Sequence, residues 1–253
     1  MPAAVDASPF ELAPVGGDGR TAALCLHGLT GTPYEVRPVA EALAARGIRA
    51  RGPALPGHGT TPEALRRVSH QDWLDAARAE ITALRADHAR VCLAGVSMGG
   101  VVGLSLASEG LVDALAVIGA PLRLQGGVML RLLPLVMHFH HFAPKREGSD
   151  IQDPVARARH PGYDRIPLRS VHELTKLQRK VERRLARITA PVLVAQGAHD
   201  STASLTDAHR IAAEVSSDDR RLLVGERSGH VVTVDYDGPR LCGEIASFFE
   251  SAG

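Results

Sequence analysis

Cysteine is scarce in this 253-residue chain: only Cys25, Cys92 and Cys242, far apart in sequence. A disulfide framework needs an even, closely spaced set, so these three read as reduced core thiols. The absence of any C-x-x-C pair removes the commonest metal-ligand spacing as well. Charge of one sign is also missing, since Lys plus Arg number 29 against 28 for Asp plus Glu. No basic stripe with interleaved aromatics occurs, which leaves nucleic acid without support as a partner. Continuous apolar runs are short. The segment Val128–Met137 is interrupted by Arg131 and Pro134 and falls well below the ~20 residues that cross a bilayer, so no transmembrane helix is expected. Residues 1–19 carry neither a basic start nor a continuous apolar stretch, so no signal peptide is expected and the cytoplasm is the expected location. Internal repeats and low-complexity tracts are absent.

What is present is enough apolar material for a sizeable core, 45% of all residues, at a length that suits one α/β domain with a small insertion. Strand-like and helix-like segments alternate, as a parallel sheet with helices on both faces requires. Strands are expected at Thr21–Leu26, Ile48–Gly52, Ala89–Ala94, Ala114–Gly119, Pro191–Gly197 and Arg221–Val224. A helix is expected over Val36–Arg46, with Pro33 ahead of it and Gly47 behind. Another is expected over Asp72–Asp87, where Trp73, Leu74, Ala77, Ile81 and Leu84 form a core-facing stripe. Lys176, Arg179, Lys180, Arg183, Arg184 and Arg187 recur beside Leu174, Leu177, Val181 and Leu185, the pattern of an amphipathic helix with a solvated basic face.

The most informative segment is Gly95-Val96-Ser97-Met98-Gly99, a G-x-S-x-G placed between a predicted strand and a predicted helix. In that context it reads as a nucleophile elbow: the turn is sharp, glycines let the two backbones approach, and the serine hydroxyl stands above the sheet at a helix N-terminus. A serine hydroxyl needs a base to take its proton and a carboxylate to orient that base. Asp200, in the loop Ala198-His199-Asp200-Ser201 after a predicted strand, is the expected acid. His230, in the loop after the last predicted strand, is the expected base, which completes the chain order Ser, acid, His. Asp207, Asp235 and Asp237 compete for the acid role but lie on the next helix or beyond His230; His58 and His199 compete for the base role from other loops. The Met98 and Leu29 amides are the expected donors to an oxyanion, with His27 beside them as a structural, hydrogen-bonding histidine.

These residues sit in blocks that resemble the bacterial carboxylesterase and monoacylglycerol lipase group of the α/β hydrolases. The blocks are Leu26-His27-Gly28-Leu29-Thr30-Gly31-Thr32-Pro33, Leu55-Pro56-Gly57-His58-Gly59-Thr60, His70-Gln71-Asp72-Trp73, Gly95 to Gly100, His199-Asp200, and Ser228 to Asp235. The resemblance implies an α/β-hydrolase fold, a mostly parallel twisted sheet with helices on both faces and a small cap inserted at about 122–170. It also implies Ser97 as nucleophile, Asp200 as acid, His230 as base, and the Leu29 and Met98 amides as oxyanion donors. The expected activity is hydrolysis of short to medium acyl esters, or monoacylglycerols, through an acyl-enzyme with no cofactor. A thioesterase or carbon-carbon bond hydrolase would use the same machinery, and a non-catalytic small-ligand receptor on the same fold is the reading from another class.

The match is weakest between about 121 and 170, where substrate preference would reside. Val128–Met137 has three readings: the lining of an acyl pocket, a transient contact with a lipid surface, or packing on the main domain. The nearby His138, His140 and His141 lack a carboxylate or cysteine co-ligand and read as a solvent face, so no metal site is expected.

Overall fold

In this computed structural model the structure describes residues 5–124, 127–145 and 148–252, with the side chains of 127–131 outside the description. The first four residues of the amino-terminal stretch, where no signal peptide is expected, also lie outside it. The strands are β1 (Phe10–Leu12), β2 (Thr21–Leu26), β3 (Arg49–Gly52), β4 (Arg90–Val96), β5 (Ala114–Ile118), β6 (Phe142–Pro144), β7 (Arg165–Pro167), β8 (Val192–Gly197) and β9 (Arg220–Gly225). The helices are α1 (Arg37–Ala44), α2 (Pro62–Arg66), α3 (His70–Asp87), α4 (Met98–Ala107), α5 (Gly127–Val136), α6 (Pro154–Arg159), α7 (Leu168–Glu182), α8 (Leu205–Glu214) and α9 (Gly238–Ser251). Seven strands form one sheet in the order β1-β3-β2-β4-β5-β8-β9, every pair parallel except β1 with β3.

Side chains alternate across the pleat, and the two faces differ in residue size. Leu24, Leu26, Val91, Leu93, Leu115, Val117, Val192 and Val194 enter one core with α3, α4, α7 and α8. Ala23, Cys25, Cys92, Ala94, Ala114, Ala116 and Ala195 face the other way, where α1 and α9 pack. These small residues leave room that Phe248, Phe249, Leu241 and Ile245 of α9 fill at interior packing density. The three cysteines are buried and free, and burial pushes their thiols well above the ordinary range, which keeps them protonated.

Several boundaries move for identifiable reasons. The expected helix over Val36–Arg46 is a tighter 3-10 turn at Pro33–Val36 followed by α1. Helix α3 begins at His70 rather than Asp72, because Ser69 and Asp72 form a reciprocal capping box. The edge strand β1 is only three residues long and has no sequence signature strong enough to expect it.

The chain goes from β2 outward to β3, then back to β4 on the opposite side of β2. Loops leaving β2 and β4 therefore diverge, and the crevice at their carboxyl ends is where open α/β sheets bind ligands. Between β5 and α7 the chain makes an insertion containing α5, the β6–β7 hairpin-like pair and α6, whose residues share a cavity with that crevice.

Candidate active site

Ser97 caps α4 at φ 53°, ψ −115°, the one non-glycine residue with positive φ among those described. Holding it there costs about 1–3 kcal/mol, repaid by packing around the turn. A methyl group on Gly95 would meet Gly99 C at 2.3 Å, and one on Gly99 would meet the Leu26 carbonyl oxygen at 2.2 Å, so both positions need glycine for close backbone approach. The Ser97 amide donates to Ile118 O at 2.8 Å, tying the turn to β5.

The loops after β8 and β9 bring two further side chains to this hydroxyl. Imidazole Nδ1–H of His230 donates to Asp200 Oδ2 at 2.8 Å, which leaves Nε2 to accept from Ser97 Oγ, also at 2.8 Å. Asp200 is held in turn: Oδ1 accepts from the Thr202 and Ala203 amides, and Oδ2 accepts from Gln196 Nε2. Gly119 makes room for the pair, since a side chain there would press on the His230 carbonyl oxygen at 2.9 Å. Burial disfavours the His230 imidazolium, but the Asp200 hydrogen bond and charge, with Asp150 and Glu35 farther off, outweigh it and raise the pKa above 6.5.

Of the two expected oxyanion amides, one belongs to the residue after Ser97 and the other to Leu29, which lines the same cavity as Ser97. Met98 N–H is the first of α4 and Leu29 N–H belongs to the turn after β2; neither has a protein acceptor among the described residues. The aim of Leu29 N–H follows from its neighbours. Leu55 N–H donates to His27 Nε2 at 3.1 Å, so the proton of this imidazole is on Nδ1, which donates to Gly28 O at 2.9 Å. Gly31 N–H also donates to Gly28 O. In a planar trans peptide the following N–H points opposite to that carbonyl. Burial, then the nearby His58, hold His27 neutral with a pKa of about 3, as a fixed donor requires. His58 Nε2–H holds the next carbonyl, Leu29 O, at 2.7 Å.

A protein-family model, Hydrolase_4, described as serine aminopeptidase, S33, matches residues 18–237. The chain belongs to this family of α/β hydrolases. It is 30% identical to the thermostable monoacylglycerol lipase of Bacillus sp. strain H-257 over 96% of this chain and 94% of that one. It is 27% identical to a carboxylesterase of Bacillus subtilis strain 168, covering 93% and 94%. Among solved structures, a metagenome-derived lipolytic enzyme superposes with a TM-score of 0.89 at 26% identity, covering 96% of this chain and 97% of its own.

This α/β hydrolase places a cavity of about 640 Å³ over Ser97 and His230, within the range of small-molecule sites. Its lining includes apolar side chains, Leu29, Leu124, Ile166, Val171 and Leu174 among them, and polar ones, among them Glu35, Lys145, Ser149, Asp150, Gln152 and His160. Of segment 128–137, the side chains of 128–131 lie outside the described residues; among the rest, Leu133 is buried, Leu132 and Leu135 are exposed, and none of 132–137 lines this cavity.

The competing candidates have structural partners instead. Asp235 accepts from the Gln152, Asp153, Gly229 and Tyr236 amides, which ties the insertion to the His230 loop. Asp237 accepts from Ser228 Oγ and Arg227 N, and Asp207 lies on α8. His199 lines the cavity through its loop, while His138, His140 and His141 are exposed, and no metal-holding group of three appears among the described residues. No described helix is long and apolar enough to cross a membrane.

Sequence reasoning missed Glu35, Lys145, Ser149, Asp150 and His160. Glu35 had a usable signal, a carboxylate just after the Gly28–Pro33 turn. The others come from the insertion, where short elements without periodicity bring distant residues together.

Proposed function

We propose that this hydrolase cleaves short to medium acyl carboxylic esters through an acyl-enzyme on Ser97. The observation that carries the reading is His230, hydrogen-bonded at 2.8 Å both to Ser97 Oγ and to Asp200 Oδ2. As Ser97 Oγ attacks the ester carbonyl, His230 Nε2 takes its proton and Asp200 stabilises the imidazolium. The carbonyl oxygen becomes an oxyanion facing the Leu29 and Met98 amides. Collapse expels the alcohol with the proton from His230, and water, activated by the same imidazole, releases the acid.

The cavity supports a substrate with two unlike ends. Its lining holds apolar side chains that suit an acyl chain and polar ones that suit a hydroxylated leaving group, so monoacylglycerols fit the reading, as does the name of the Bacillus relative. Residues 122–170 are read as a cap that sets this selectivity. The test is hydrolysis of p-nitrophenyl butyrate and monoacylglycerols by wild type and Ser97→Ala. Turnover that disappears in the variant is expected, and an unchanged rate overturns the assignment.

A further inference from the structure

A second carboxylate–imidazole pair faces the same cavity and takes no part in the proton transfers above. Glu35, buried, accepts from His160 Nε2–H at 3.0 Å through Oε1 and from Gly28 N–H at 2.7 Å through Oε2. His160 comes from the insertion, and its side chain is only 1% exposed. Its other nitrogen, Nδ1, accepts from Ser149 Oγ–H at 2.7 Å, and Ser149 Oγ accepts from Lys145 at 3.1 Å. This polar chain therefore runs from the insertion to the backbone of the turn after β2. Gly31 packs so closely on the carboxylate that a methyl group there would fall 2.1 Å from Oε1.

Gly28 is thus clamped on both sides: its carbonyl by His27 and Gly31, its N–H by Glu35. The glycine has no side chain to limit its rotation, so these contacts set the orientation of the peptide that carries Leu29 N–H. Without His160, Glu35 would be a buried carboxylate with one oxygen, Oε1, unpaired, which is unfavourable and favours turning outward to water.

We propose that Glu35 is a positioning residue, and that its pairing with His160 makes the aim of the Leu29 oxyanion donor depend on the insertion being seated over the cavity. The oxyanion donor is then fully assembled only in the closed enzyme. This inference rests on the Ser97 reading above.

The test measures p-nitrophenyl butyrate kinetics for wild type, Ser97→Ala, Glu35→Gln, His160→Ala and the Glu35→Gln/His160→Ala double variant. Inhibition by butylboronic acid, whose serine adduct is tetrahedral, is measured alongside. Loss of a whole oxyanion donor lowers kcat about 10²–10³-fold, so mis-aiming one is expected to lower it ~10-fold. Glu35→Gln and His160→Ala should each do so with KM within about threefold, and boronate affinity should fall by the same factor as kcat. Because the two act as one unit, the double variant should be close to the worse single one. Glu35→Gln is isosteric and Ser149→Ala, at the outer end of the chain, should give a milder loss of the same kind, which keeps the test open if His160→Ala does not fold. Raised KM with unchanged kcat and boronate affinity, or losses that multiply, would overturn the inference. A wild-type rate that survives Ser97→Ala would overturn the underlying reading and the inference with it.

Discussion

Two histidine–carboxylate pairs face one cavity, and each histidine also meets a serine hydroxyl. In the first, His230 presents Nδ1 to Asp200 and Nε2 to Ser97; in the second, His160 presents Nε2 to Glu35 and Nδ1 to Ser149. The constellations differ in what surrounds the serine. Ser97 sits at a strained turn and a helix N-terminus beside two amides without protein acceptors. Ser149 lies in the insertion, where its oxygen already accepts from Lys145. The carboxylates differ as well, because one oxygen of Glu35 is committed to a backbone amide that belongs to the oxyanion turn. A serine, a histidine and a carboxylate in contact are therefore not enough to identify a nucleophile; the proposal for Ser97 rests also on its strained turn and on the two amides without protein acceptors among the described residues.

The largest effect that separates the pairs is on turnover. Ser97→Ala should lower kcat by about 10⁴-fold or more, while Ser149→Ala should lower it only a few-fold, measured on p-nitrophenyl butyrate. Asp200→Asn should follow at about 10³–10⁴-fold, because an amide no longer enforces the Nδ1–H tautomer of His230. Comparable losses from the two serine variants would break the distinction.

The pH dependence sharpens it. His230 must be neutral to accept the Ser97 proton, and its pKa is raised, so kcat/KM should fall with decreasing pH along a limb centred above 6.5. Glu35 is one of the charges that raise it, so in Glu35→Gln the limb should move to lower pH. A limb at or below 6.5 in wild type would contradict the assignment of the base.

The smallest effect is on acid stability. Burial opposes ionisation of Glu35, but the hydrogen bonds from His160 and the Gly28 amide outweigh it and hold its carboxyl below the ordinary 4.5. A depressed folded pKa gives stability that is present above about pH 4.5 and is lost as pH falls further. Urea unfolding of Glu35→Gln should therefore vary less with pH below 4.5 than that of wild type, and parallel curves would count against a paired Glu35.

The difference between the pairs also explains what was legible in the sequence. The G-x-S-x-G turn, the Asp200 loop and the His230 loop each follow a strand with a clear apolar pattern; chain order sets aside Asp235 and Asp237, and placement on a helix or in another loop sets aside Asp207 and His58. His27 was readable as structural because it adjoins the turn that it supports. Glu35 and His160 are separated by 125 positions and meet through an insertion of short elements, where neither period nor motif indicates which residues converge. The same limit hid β1, only three residues long, and the convergence of Ile166, Val171 and Leu174 on the cavity.

The most direct test of the central claim is to find which serine becomes covalently modified. The wild-type protein would be treated with an alkyl fluorophosphonate, digested and read by peptide mass spectrometry. One adduct per chain on the peptide containing Ser97, absent from Ser97→Ala, is the predicted result; an adduct on Ser149, or none in a preparation that turns over esters, would contradict the account.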